Sequence, residues 1–182
     1  MPRRAAATPP PTAYLRAIRR LARRDHSVAE LRQALVERDH DPAEVDQALE
    51  RLARERYLDD AGFAERFARS RMAHQGLGSL RVRQGLRQRG VDRGTIDAGI
   101  ARALREVDER EVLDGLARRY WRQHARVEPA QRLPRLWAFL LRRGFAPGLV
   151  RDRLCGLWPR WSDALDGLEP LDPAEAHGGE RE

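Results

Sequence analysis

The sequence predicts an all-α fold: three tandem three-helix repeats in an elongated, curved, solenoid-like body between disordered tails. Two observations carry that prediction. From Tyr14 onward apolar residues recur at helical spacing, with no strand-like alternation. One set of positions also returns at a near-constant interval. Leu31, Leu35, Arg38 and Val45 precede Val82, Leu86, Arg89 and Ile96 by 51 residues, and these precede Leu136, Leu140, Arg143 and Val150 by 54. A repeat of that length is one supersecondary unit, stable when stacked on its neighbours.

Residues 1–13 are proline-rich and read as a disordered lead. The first repeat takes residues 14–58. Its first helix sets Tyr14, Leu15, Ile18, Leu21 and Ala22 on one face and Arg16, Arg19, Arg20 and Arg23 on the other. Ser27-Val28-Ala29-Glu30 has the form of a capping box, the hydroxyl accepting from the Glu30 amide while the carboxylate reaches back. Val28, Leu31 and Leu35 follow as a buried row. The third helix opens at Asp41-Pro42-Ala43-Glu44, with an acceptor at the N-cap and proline at the first helical position. Its apolar stripe is Val45, Ala48, Leu49, Leu52 and Ala53.

Tyr57-Leu58 ends that unit, and Asp59-Asp60 is placed to cap the helix beginning near Ala61. The second repeat takes residues 59–106 and the third 107–161. Gly90 and Gly144 follow the recurrent arginine, where a helix C-terminus favours a residue that accepts positive φ; Asp39 holds that place in the first repeat. Residues 162–182 lack an apolar period and read as a disordered acidic tail.

Charge is the other informative feature. The formal net charge is +7 and every Lys-or-Arg position is Arg. Residues 14–161 carry 32 Arg against 21 acids, whereas residues 162–182 carry one Arg against seven. A basic body points to a polyanionic partner, and the acidic tail is placed to compete with it. In the first repeat ten Arg meet nine acids, so intramolecular pairing accounts for them. Residues 59–161 hold 22 Arg against 12 acids, an excess that favours binding. The candidate contacts are Arg66, Arg69 and Arg71, then Arg81, Arg83, Arg87 and Arg89 around the inward-facing Val82 and Leu86, and Arg142 and Arg143 in the third repeat. Guanidinium forks suit phosphate oxygens and carboxylates.

Catalysis finds little support. A phosphate loop ending in Lys is impossible without Lys, and the five histidines are never paired at i and i+4. The protein is expected to be a non-enzyme that needs no cofactor and no metal. Cys155, the single cysteine, reads as a buried small hydrophobe. Trp121, Trp137 and Trp158 read as core of the third repeat, and Trp161 as the one that is exposed. With no membrane-length apolar run and no signal-like centre in residues 1–13, a cytoplasmic monomer is expected.

The run Tyr57-Leu58-Asp59-Asp60-Ala61-Gly62-Phe63-Ala64 resembles the Y-L/I-D-D-x-x-F-A signature of the RecX family of bacterial RecA regulators. Upstream, His26-Ser27-Val28-Ala29-Glu30-Leu31 is similar to the family's H-S-x-x-E-L. Downstream, Arg69-Ser70-Arg71, then Gly76-Leu77-Gly78, then the run Arg81 to Val91 resemble its R-x-x-x-x-G-x-x-R-I-x-x-E-L-x-x-K-G-I stretch, except that Gly85 replaces the usual Glu and Arg89 the common Lys. The likeness spans about residues 14–158. It implies a curved, modular body that lodges in the groove of the RecA–single-stranded DNA filament. It also implies suppression of RecA's ATP hydrolysis, strand exchange and co-protease activity, and so a part in DNA repair, homologous recombination and the SOS response. The implied partners are the RecA filament and single- or double-stranded DNA. The other class compatible with the residues is a stand-alone DNA-binding protein with helix-turn-helix-like units.

Overall fold

The computed structural model describes residues 12–159; Trp161 and the acidic tail lie outside them, as does the lead up to residue 11. Among the described residues there are nine α-helices and no strand, in three consecutive triplets. The first unit holds α1 (Ala13–Leu21), α2 (Val28–Val36) and α3 (Pro42–Arg54). The second holds α4 (Asp60–Gln75), α5 (Ser79–Arg87) and α6 (Arg93–Ala103), and the third α7 (Glu109–Gln123), α8 (Pro129–Arg142) and α9 (Pro147–Leu157).

Each unit closes over its own core, and the recurrent positions supply it. Leu31, Leu35 and Val45 are fully buried, as are Val82 and Leu86, with Ile96 close behind, and Leu136, Leu140 and Val150. Burying one such side chain contributes roughly 1.5–3 kcal/mol. The helix starts form as their sequences dictate. Ser27 and Glu30 make the reciprocal capping box, at 3.1 Å for the Glu30 amide and 3.3 Å for the Ser27 amide. Asp41 accepts from the amides of Ala43 and Glu44 at 2.9 and 3.2 Å.

The units are joined through their middle helices, end to end. The C-terminal turn of α8 meets the N-terminus of α5: the Gly78 amide donates to the Arg143 carbonyl at 2.9 Å and the Leu80 amide to the Gly144 carbonyl at 3.0 Å. In the same way α5 meets α2, where the Ser27 hydroxyl donates to the Arg89 carbonyl at 2.5 Å. Carbonyls left over at one helix end thus meet donors at the next. Gly90 and Gly144 have φ of 72° and 86°, and a Cβ on either would fall against the neighbouring unit, at Ala29 and at the Arg81 backbone. Asp39, with φ of 61°, ends α2 at the outer end of this column.

The structure corrects four sequence expectations. Asp59 caps α4 through the Ala61 amide at 3.1 Å, but Asp60 does not join it there. Its carboxylate accepts from the Val28 amide at 2.9 Å, capping α2 across the unit boundary. Glu109 repeats the device on the Ser79 amide at 2.6 Å. In α1 the buried residues are Ala13 and Ala17, while Leu15 is 49% exposed. The Ala13 amide is held by Glu44 Oε1 at 2.7 Å, which turns the alanine side of this short helix onto α3 and Leu15 outward. Ala53 is likewise exposed, on the same side of α3 as the exposed Asp46 and Glu50. Cys155 is half-buried at the margin of the third core rather than inside it. Trp137 is buried there, with Trp121 and Trp158 packed against the same core and their rings 4.9 Å apart.

Candidate nucleic-acid interface

Three of the nine candidate arginines, Arg81, Arg83 and Arg87, lie on α5. Val82 and Leu86 point into the core and so turn Arg81 and Arg87 out to solvent. The Arg81 guanidinium donates to the neutral Gln84 side chain at 3.0 Å, and neither Arg81 nor Arg87 has an ion pair among the described residues. Arg83 is half-buried and ion-paired with Asp97 of α6. Arg142, at the end of α8, has no ion pair among the described residues either.

The remaining candidates are engaged within the protein. On α4, Arg66 pairs with Asp25 of the first unit at 2.8 Å and Arg69 with Glu106 at 2.9 Å. All four side chains are well exposed, so each pair contributes at most about 1 kcal/mol and is exchangeable for a phosphate. Arg71 donates to the Gln75 side chain at 2.5 Å and lies 4.9 Å over the Phe67 ring. Arg143 donates to the Gln75 carbonyl at 2.5 Å and sits 5.1 Å over Phe139. It thereby ties the C-terminus of α4 to the third unit.

Arg89 and Gly85, the two departures from the family pattern, are in contact. The Arg89 guanidinium donates to the Gly85 carbonyl at 2.8 Å, lies 4.7 Å over Phe67, and reaches Glu30 of the first unit at 3.6 Å. A Cβ at position 85 would press on the Phe67 ring. The small residue and the arginine together make the seat for that ring.

Two titratable groups sit at the boundary between the first and second units. Burial raises the Asp60 carboxyl above the ordinary range, opposed by the hydrogen bond from the Val28 amide and reinforced by nearby Asp92, Asp59 and Glu30. Burial lowers His26, opposed by its contact with the Arg24 carbonyl.

Several arginines have roles that composition does not reveal. Arg132 is buried and donates to the carbonyls of Val127 and Ala125, at 3.0 and 2.7 Å, while lying 4.4 Å over Trp121. Nothing in its sequence neighbours distinguishes it from a surface arginine. Arg153 grips the buried Asp114 with both arms of its fork, one contact at 3.0 Å, and Asp114 raises its pKa in return. The pairing expected throughout the first unit is uneven, with four arginines of the α1 segment and Arg38 left together outside it.

Three family models match the chain in order. The first three-helix domain of RecX matches residues 13–52, the second 59–100 and the third 108–154. The chain belongs to the RecX family. Its relatives include the regulatory protein RecX of Trichlorobacter lovleyi, 36% identical over 144 residues, covering 79% of this chain and 94% of that one. The regulatory protein RecX of Halorhodospira halophila is 46% identical over 141 residues, covering 74% and 81%. Among solved structures, RecX from Lactobacillus salivarius superposes with a TM-score of 0.70 at 17% identity, over 80% of this chain and 94% of that one. This last likeness speaks to fold alone. The family is one of regulatory proteins, and the three matched domains coincide with the three helical units. Among the described residues no helix is long and apolar enough to cross a membrane.

Proposed function

We propose that the chain is a negative regulator of RecA, binding the groove of the RecA–single-stranded DNA filament and suppressing its ATPase, strand-exchange and co-protease activities. Through these it modulates DNA repair and the SOS response. Family membership supports the regulatory part of this reading. The observation that carries the binding part is the outward arginines on the middle helices. Arg81, Arg87 and Arg142 have no acidic partner among the described residues, and Arg83 of α5 is held by one exposed carboxylate of α6. Exposed arginines of this kind give salt-dependent, sequence-tolerant attachment to a surface of phosphates and carboxylates. Arg66 and Arg69 extend it by exchanging their solvent-exposed partners.

The test compares binding to RecA filaments with binding to bare DNA, for the parent and for Arg83→Glu/Arg87→Glu. The expected outcome is tighter binding to the filament, lost in the double variant while its helical circular dichroism persists. Equal affinity for bare DNA and filament would favour a stand-alone DNA-binding protein. Full filament binding by the double variant would move the contact face elsewhere.

A further inference from the structure

Four acids of the first unit are committed to arginines elsewhere on the surface. Asp25 holds Arg66, Glu30 holds Arg24, Asp46 holds Arg32 and Glu55 holds Arg51. Among the arginines without an ion pair in the described residues, Arg16, Arg19, Arg20, Arg23 and Arg38 line a single surface pocket, with no other described residue in its wall. The four from the α1 segment are spaced so that they share one helix face, and α1 has no acidic residue in its first turn. Like charges at this spacing repel one another, so the cluster weakens the helix that carries it. The Nε atoms of Arg16 and Arg20 are moreover buried without a hydrogen-bond partner among the described residues. An unmet buried donor adds to the cost of the cluster as it stands.

Arg38 shows why this happens only in the first unit. Its repeat counterparts are Arg89 and Arg143, each of which reaches into the adjoining unit, to Glu30 and to the Gln75 carbonyl. Among the described residues nothing is stacked on the C-terminus of α2, so Arg38 has no such partner and turns to the α1 arginines instead.

We infer that this pocket is a second phosphate-binding site, seating the sugar–phosphate backbone of single-stranded nucleic acid at the outer end of the helical column. A lone carboxylate would neutralise one of five guanidiniums, whereas a phosphodiester chain brings successive charges to the same groove. The described wall has no aromatic or apolar side chain to receive a base, so the contact is with backbone and carries no sequence preference. The site stands apart from the RecA reading, since naked nucleic acid suffices to occupy it.

The test is fluorescence anisotropy of labelled oligothymidylate with the full chain, titrated across a salt series in the absence of recombinase. For Arg19→Gln/Arg23→Gln the dissociation constant should rise about tenfold. The slope of log affinity against log salt should fall by about 1.4, the contribution of two phosphate contacts to a single strand. Arg38→Gln, outside α1, should lower the slope by about 0.7 and decides the matter if the double variant loses helicity. Unchanged affinity and slope in folded variants would overturn the site. So would a pocket that binds inorganic pyrophosphate, by calorimetry, while its variants keep full oligonucleotide affinity. Oligothymidylate binding by the parent without any inhibition of RecA would count against the RecA reading and leave this site standing.

Discussion

Arg38, Arg89 and Arg143 occupy one position in three repeats, yet the outer end of the first unit and the two internal junctions use it in opposite ways. At the junctions the arginine reaches the adjoining unit and is followed by a glycine that lets the next helix approach; at the outer end it faces other arginines and is followed by Asp39. Glycine is required where something stacks. Where nothing stacks, an aspartate in the left-handed region suffices, at a conformational cost of about 1–2 kcal/mol. The contrast shows how a repeat array ends: the same local sequence is structural inside the array and becomes available for binding at its edge.

The substitutions that break this contrast most strongly are at the glycines. Gly144→Ala places a Cβ against the Arg81 backbone at a φ of 86°. It should cost about 3–5 kcal/mol in urea unfolding. Asp39→Gly should instead stabilise, by about 1 kcal/mol. Equal and opposite effects are not required, but a tolerated Gly144→Ala would mean that the helices do not abut in solution.

The arginines sharpen the same comparison at smaller scale. Arg143→Ala removes charged hydrogen bonds to the end of α4 and should cost about 2 kcal/mol. Arg38→Ala should stay within about 0.5 kcal/mol of the parent, as an exposed change does. Similar losses at both would show that Arg38 is structural too.

Asp60→Ala removes a cap that crosses the first junction and should cost about 1 kcal/mol. Its pH dependence has a definite sign. Because its folded pKa is raised, ionisation of Asp60 opposes folding at neutral pH, and stability is regained as pH falls from above the folded pKa towards the ordinary carboxylate value. His26 acts oppositely: with a lowered folded pKa, it loses stability as pH falls through the ordinary imidazole range. Asp60→Asn keeps an acceptor for Val28 and should flatten only the first of these, measured as unfolding free energy against pH. A slope unchanged by Asp60→Asn would remove Asp60 as its source. Smallest of all, Gly85→Ala gains helix propensity but crowds Phe67, leaving a net change within about 0.5 kcal/mol.

Much of this architecture is legible in the sequence, for a physical reason. Buried rows such as Leu31 and Leu35 must recur in helical register, and caps such as Ser27 and Asp41 lie within three residues of the amides they satisfy. Partners set by the stacking of units are not legible. Asp60 looks like a second cap for α4 until the N-terminus of α2 is placed beside it, and Leu15 looks buried until Glu44 fixes the rotation of α1. Counting charges misleads in the same way. Ten Arg against nine acids suggests neutrality in the first unit, but Asp25 is drawn 41 positions away to Arg66 and the α1 arginines are left together. Among the nine candidate contacts, Arg87 keeps the exposure that the sequence implies, whereas Arg89 and Arg143 are occupied at junctions.

The central claim, regulation of RecA by binding its filament, is tested most directly by the single-stranded-DNA-dependent ATPase of the cognate RecA with this protein titrated in. The expected result is inhibition at well under one molecule per RecA, relieved by raising salt. An unchanged rate with this protein in excess, alongside tight binding to bare DNA, would contradict it.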